Sequence, residues 1–112
     1  ITAAAVCVLY NAGSYDDPIA ERAFRFATDH LAVRGSGGGH HYYAHLYLAQ
    51  AFYQRGGDEY VDYQKRMAQW LRQSQNRTDG SWQGDNVGTT YGTSIALTIL
   101  QLPWAQVPIY QR

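Results

Sequence analysis

The chain of 112 residues lacks several features that mark common protein classes. It has a single cysteine, Cys7, so it can form no internal disulfide, and the apolar run around Cys7 predicts a buried thiol. Nine basic and nine acidic residues are scattered along the chain and give a formal net charge of +0, which argues against a surface for nucleic acid or an anionic membrane. There is also no apolar run of transmembrane length and no recognisable signal peptide.

The apolar content is 46% of the residues, which is enough for a hydrophobic core, and the length limits the chain to one small domain or part of a larger one. The chain starts without Met, on residues whose pattern is already helical. We therefore expect it to be the C-terminal fragment of a longer protein, and its sequence does not identify a compartment.

Two segments have the pattern of amphipathic surface helices, with apolar residues on one face and charges on the other. The first covers 18–34, with Asp17 as its predicted N-cap and Pro18 as its first residue, where a missing N–H costs nothing. The second covers 59–74. The apolar stripes are Ile19, Ala20, Ala23, Phe24, Ala27 and Leu31 in the first segment, and Tyr60, Tyr63, Met67, Trp70 and Leu71 in the second.

Three other segments, 2–12, 41–54 and 90–102, contain almost no charge and are apolar or aromatic around most of their circumference. Helices of this kind are buried on several sides. Glycine-rich turns separate the segments, so the predicted order is inner, outer, inner, outer, inner. The sequence therefore predicts an all-α fold in which two types of helix alternate.

A weak internal repeat supports this organisation, because Tyr10 and Gly13 lie 43 residues before Tyr53 and Gly56. A period of this length is typical of stacked helical hairpins. The predicted hairpins cover about 1–34 and 41–75, and a last inner helix at about 90–102 and an extended tail, 103–112, follow them. One hairpin cannot bury a two-sided inner helix, so we expect the rest of the same fold, or another copy of the chain, to cover the exposed flank.

Residues 66–82 carry the most specific motif in the chain. Trp70 and Leu71 lie on the apolar face of the predicted fourth helix, Gln75 lies near its end, and a turn at Gly80 brings Trp82 back against the helix. This spacing resembles the QW repeat of squalene and oxidosqualene cyclases, whose fold is shared by the β subunits of protein prenyltransferases.

The resemblance implies an α/α toroid, in which inner helices form a ring and outer helices surround it. The chain would then be a fragment of an α6/α6 barrel. Only 66–82 matches the repeat closely, and within it Met67 stands where the repeat usually has Gly or Ala. Over the rest of the chain the similarity is one of helix pattern.

The resemblance does not supply a complete catalytic motif. Class II terpene cyclases protonate their substrate with an Asp-x-Asp-Asp motif, which this chain lacks, and helix capping explains Asp16 and Asp17 ahead of Pro18. Zinc prenyltransferases hold their metal with Asp, Cys and His, and His40 resembles the His that opens their inner helix. The matching acid and thiol are absent from the preceding inner helix start, and Cys7 lies about a turn and a half too deep.

His41 and His45 are four residues apart and can share one helix face, as in zinc helices. However, Tyr42 replaces the Glu of His-Glu-x-x-His, and no third ligand is evident. We therefore predict no metal site, and His40, His41 and His45 are the residues at which zinc would bind if one existed. The alternative is a helix start whose imidazoles bond to backbone or hydroxyl groups at the mouth of the barrel. The residues expected to line a ligand are His40, His41, Tyr42, His45 and Tyr91.

Ten tyrosines and three tryptophans make the chain rich in aromatic side chains, which either line an apolar pocket or form a core. Two functional hypotheses follow. In the first, these residues are a scaffold, or the wall of a cavity for an isoprenoid or another apolar ligand, in a squalene cyclase-like or prenyltransferase-like toroid. In the second, they are part of an active terpenoid cyclase or zinc prenyltransferase whose catalytic residues lie upstream. Fold alone does not decide between the two.

Overall fold

A computed structural model describes residues 1–33 and 39–105, and in these residues the fold is all-α, as predicted. The only β pairing among them is an isolated bridge between Gly84 and Gly88. The helices are α1 (Thr2–Asn11), α2 (Pro18–His30), α3 (His41–Arg55), α4 (Gly57–Ser74) and α5 (Thr89–Gln101), followed by a single 3-10 turn, Leu102–Trp104. Most of the predicted tail, 106–112, lies outside the described residues.

The helix boundaries follow local signals in the sequence. The Asp17 side chain caps α2 as predicted, because its Oδ1 accepts a hydrogen bond of 2.7 Å from the backbone N–H of Ile19. The helix ends at His30, earlier than predicted, since Leu31 has left the helical region with φ −112° and ψ 85°. Ile19, which the apolar stripe places on the buried face, is 61% exposed.

The helices form two layers. Helix α3 lies between α1 and α5 and contacts both, whereas α2 packs on α1 and α3, and α4 packs on α3 and α5. We call the row α1, α3, α5 the inner layer and the pair α2, α4 the outer layer. The shortest dimension of the molecule is 22 Å, which corresponds to two helices of about 10 Å each.

Polar side chains connect α1 to α3 inside the inner layer. The Cys7 thiol donates to Gln50 Oε1 at 3.3 Å, and Gln54 Nε2 donates to Asn11 Oδ1 at 2.5 Å. Cys7 is buried, as predicted, and burial raises the pKa of its thiol. In both bonds the partners are 43 residues apart, so positions that the internal repeat makes equivalent face each other in neighbouring inner helices.

The segment after α4 folds back onto that helix. Trp82 is 5% exposed, and its Nε1–H donates to the carbonyl of Leu71 at 2.7 Å. That carbonyl is one of the last four of α4, which have no backbone partner within the helix, and it also accepts the Ser74 hydroxyl at 3.2 Å. Gln75 Nε2 bonds to the carbonyl of Gly80 at 2.8 Å, and the backbone N–H of Trp82 bonds to Thr93 Oγ1 of α5 at 3.1 Å. These contacts, which we call the tryptophan clasp, join the end of α4 to α5.

We expect Trp82→Phe to lower the free energy of unfolding by about 0.5–1.5 kcal/mol, because the Leu71 carbonyl loses the indole donor and keeps only the Ser74 hydroxyl, while an aromatic ring remains. Urea unfolding followed by circular dichroism measures this change. Phe26→Leu is the control, since that ring is 53% exposed and its replacement should have little effect. An unchanged midpoint for Trp82→Phe would show that the indole bond to Leu71 contributes nothing to stability.

Two glycines let the clasp approach α5. A Cβ on Gly84 would lie 2.5 Å from the Cα of Gly92, and a Cβ on Gly92 would collide with the Trp82 carbonyl and with the backbone of Gly84. All of the obstructing atoms nearest Gly92 belong to the backbone, so no rotation of a side chain can relieve the collision. The absence of a side chain at these two positions is therefore a packing requirement.

We expect Gly92→Ala to destabilise the protein by about 1–3 kcal/mol through overpacking. Without tertiary contacts the same change inside a helix would stabilise it by about 0.5–1 kcal/mol, so the sign of the effect tests the close approach. The midpoint of thermal unfolding of Gly92→Ala, compared with that of the wild type, gives the sign and size of the effect. Ser94→Ala, an exposed position on the same helix, is the control and should shift the midpoint only slightly.

Candidate functional site

Asp85 connects the start of α3 to the start of α5. His40, the N-cap of α3, makes no side-chain capping bond. Instead, the carboxylate of Asp85 accepts the backbone N–H groups of Tyr42 and Tyr43, both at 2.9 Å, and the hydroxyl of Tyr91 at 3.2 Å. The negative charge of Asp85 also interacts favourably with the positive N-terminal end of the α3 helix dipole. Sequence reasoning missed Asp85, and the one available signal was its position 43 residues after Tyr42.

His45 is a packed structural group. It is 1% exposed, its Nδ1 lies 2.9 Å from the Tyr63 hydroxyl, and its Nε2 lies 3.1 Å from the carbonyl of Ala32. The partners assign the neutral tautomer, in which Nε2–H donates to Ala32 and Nδ1 accepts from Tyr63. Burial, together with the nearby His41, lowers the pKa of His45 to about 4. Both nitrogens are therefore occupied by protein groups.

His41 lies beside His45 on the same face of α3. The two ring centroids are 4.4 Å apart, and the ring of His41 also lies edge-on to Trp70 at 4.6 Å. Burial lowers the pKa of His41. Its Nε2 is buried and has no hydrogen-bond partner among the described residues. A neutral imidazole fits this aromatic environment, because a charged one would be costly to desolvate.

The other residues predicted from the sequence are in different environments. His40 is exposed, Tyr42 is buried against Trp70 with ring centroids 5.5 Å apart, and Tyr91 is partly exposed. In the two described ranges, no group of three or more His, Cys, Asp or Glu side chains is placed to hold a metal ion. His41, Tyr42 and His45 lie close together, and the contacts described around them are ring packing and hydrogen bonds to other protein groups.

Three tyrosines form the most aromatic open surface at this end of the molecule. Tyr43 and Tyr47 are one turn apart on α3, with ring centroids 5.0 Å apart, and Tyr43 is 39% exposed. The backbone N–H of Tyr43 and the hydroxyl of Tyr91 donate to the same oxygen, Asp85 Oδ2, which places Tyr91 beside the start of α3. Burial raises the pKa of Tyr91. We call Tyr43, Tyr47 and Tyr91 the tyrosine face.

The tyrosine face points away from the outer layer. His45 and Phe52 of α3 stack on Tyr63 of α4 with ring centroids 6.0 and 4.3 Å away, so this side of α3 faces α4. Tyr43 and Tyr47 are on the remaining side of the helix. The open aromatic surface therefore belongs to the inner side of the inner layer.

A polar cleft of about 610 Å³ lies at the other end of α3, where Arg55 is about 15 Å along the helix from His45 and about 21 Å from His41. Its lining includes Tyr10, Tyr15, Glu21, Arg55 and Glu59. It has a polar lining of tyrosines and charged groups, unlike the aromatic surface at the start of the helix.

A network of four charged side chains, which we call the charge quartet, borders this cleft. Arg25 bonds to Glu21 at 2.9 Å and to Glu59 at 2.7 Å, while Arg55 bonds to Glu59 at 2.9 Å and to Glu21. Hydrogen bonds from Arg55 lower the pKa of Glu21, and hydrogen bonds from Arg25 lower the pKa of Glu59. Both carboxylates are therefore ionised at neutral pH and are not suited to donate a proton.

The chain matches no protein-family model, and no significant match was found among curated proteins or solved structures. Among the described helices, none combines the length and apolar character that crossing a bilayer requires.

We expect the free energy of unfolding to fall as the pH is lowered from about 6.5 towards 4, because His45 must gain a proton on unfolding. The pKa of His45 is about 4 in the folded state and about 6.5 in the unfolded state. The stability linked to this difference is fully present above pH 6.5 and is lost progressively as the pH falls towards 4. Its upper limit is about 3 kcal/mol. Urea titrations across this range should show the slope in the wild type and in His30→Gln, whose imidazole is exposed, but a smaller slope in His45→Gln.

Proposed function

We propose that these residues are repeats of an α/α toroid of the squalene cyclase and protein prenyltransferase type, and that they form a scaffold wall whose inner side contacts an apolar ligand. The observation that carries the architecture is the tryptophan clasp. Trp82 bonds to the Leu71 carbonyl, and Gln75 bonds to Gly80, within the segment whose spacing resembles the QW repeat. The two-layer order of the helices, and the contacts between residues 43 apart, support the same interpretation.

The tyrosine face supports a ligand on the inner side. Aromatic rings offer apolar area together with a negative face, which suits isoprenoid chains and positive charge developing on them. Tyr43 and Tyr47 lie on the side of α3 opposite His45 and Phe52, whose rings face α2 and α4, and Tyr91 is joined to the start of α3 through Asp85. In a toroid this side would be the lining of the central cavity.

A scaffold role is favoured over a catalytic one by the protonation states of the described residues. His45 is neutral with both nitrogens bonded, and the two glutamates of the charge quartet are held ionised by arginines. Neither arrangement supplies a proton donor of the kind that terpenoid cyclisation needs. Cys7 has a raised pKa, which disfavours the thiolate that zinc would bind.

The second candidate is an active terpenoid cyclase or zinc prenyltransferase whose catalytic residues lie upstream. The tyrosine face fits this candidate as well, because a cavity wall serves a catalytic toroid and a binding toroid alike. Zinc would be the cofactor of the prenyltransferase variant, with His40 as the residue that resembles one of its ligands.

We expect the chain to bind farnesol, an uncharged isoprenoid, and to leave it unchanged. Tyrosine and tryptophan fluorescence can follow the titration, and gas chromatography can follow the ligand. Tyr43→Ala should weaken binding about 10-fold, since the ring that would contact the isoprenoid chain is removed. Phe26→Ala, on the exposed side of α2, should leave binding unchanged. Absence of binding would contradict the ligand-contacting wall. Conversion of farnesol, farnesyl diphosphate or squalene would instead favour the catalytic candidate.

A further inference from the structure

Three hydrogen-bond donors at the start of α3 are directed at one carboxylate. The backbone N–H of Tyr42 donates to Asp85 Oδ1 at 2.9 Å. The backbone N–H of Tyr43 and the hydroxyl of Tyr91 donate to Asp85 Oδ2 at 2.9 and 3.2 Å. Free N–H groups at a helix N-terminus are the groups that ordinarily bind phosphate and other anions. In this chain an internal anion, the Asp85 carboxylate, already occupies them.

The loop before α5 fixes Asp85 in this position. Asp85 and Asn86 both have positive φ, 45° and 60°. The N–H of Val87 bonds to the carbonyl of Gly84 at 2.8 Å, which closes a turn with the φ pattern of type I′. Asp and Asn are, after glycine, the residues that adopt this conformation most readily. Because Gly84 is buried and lies against the backbone of Gly92, the turn is fixed relative to α5.

The charge around the tyrosine face is also unsuited to an anion. The α3 dipole places roughly half a positive charge at the helix start, which offsets only about half of the Asp85 charge. No Lys or Arg occurs in α1, in α5 or in the loop 83–88, and α3 contains only Arg55. Arg55 is about 18 Å along the helix from Tyr43 and is already paired within the charge quartet. The described residues therefore give this face a net negative charge.

We propose that Asp85 makes the tyrosine face selective for uncharged isoprenoids and excludes prenyl diphosphates from it. This inference rests on the proposed function, because it narrows the class of the apolar ligand that the wall contacts. A diphosphate at the start of α3 would meet donors that are already used and a carboxylate of the same sign. An alcohol or a hydrocarbon would meet no such repulsion and would keep the aromatic contacts of Tyr43 and Tyr47.

The test compares farnesol with farnesyl diphosphate, two ligands that share one chain and differ in the head group. Fluorescence titration of the purified chain, at pH 8 and without divalent cations, gives both dissociation constants. We expect the wild type to bind farnesol at least about 10-fold more tightly, because the diphosphate and Asp85 repel each other. Asp85→Asn removes the charge, and Asp85→Gly also frees both N–H groups. Each should lower the affinity ratio at least about 3-fold, and both replacements suit the positive φ of this residue.

Asp58→Asn is the matched control, since it removes the same charge at the opposite end of α3 and should leave the ratio at its wild-type value. The ratio separates selectivity from folding, because a general loss of structure weakens the binding of both ligands. Equal or tighter binding of farnesyl diphosphate by the wild type, or an unchanged ratio in both Asp85 variants, overturns this inference and leaves the proposed function standing. A wild type that binds neither ligand refutes the ligand-contacting wall and the inference with it.

Discussion

The burial of α3 is the constraint on which the rest of the structure depends. This helix lies between α1 and α5 in one layer and beneath α2 and α4 in the other, so each of the other four helices is positioned by contact with it. A surface helix needs one apolar stripe, but a helix in this position needs apolar or fully bonded groups around most of its circumference. That requirement explains why α3 combines alanines and aromatic residues with very little charge.

The polar groups that α3 does bury determine how its neighbours align. Gln50, Gln54 and His45 are nearly inaccessible to solvent, and each is bonded to a group on another part of the chain. A buried amide or imidazole without its partner is costly, so sliding α1 along α3 would break several bonds at once. Apolar contacts tolerate small shifts, whereas these bonds specify one register. At the start of the helix, Asp85 has a comparable role, because it holds two free N–H groups of α3 from a loop that also approaches α5.

The sequence was sufficient to predict the five helices of the described residues and their order, because apolar periodicity and glycine-rich turns are local signals. It also predicted the Asp17 cap and the return of Trp82 to α4, which depend on residues close in sequence. The bonds that close the charge quartet, from Arg25 to Glu59 and from Arg55 to Glu21, could not be predicted, and neither could the bonds of Asp85 to α3. They join residues 34 or more apart and depend on how the hairpins stack. The expectation that Ile19 lies on the buried face of α2 was wrong, because an apolar stripe does not show how much of its area a neighbouring helix covers.

The two ends of α3 have opposite chemistry, and this contrast bears on function. At its C-terminal end, arginines keep Glu21 and Glu59 ionised, and the cleft there is polar. At its N-terminal end, burial keeps His45 neutral, and tyrosine rings form the open surface. The apolar ligand that we propose would fit the N-terminal end better, where the described side chains offer aromatic area and hydroxyl groups and the Asp85 carboxylate is occupied by three hydrogen bonds. If a reaction takes place against this wall, its proton donor or metal has to come from residues that face the wall, and the wall itself supplies shape and aromatic contact.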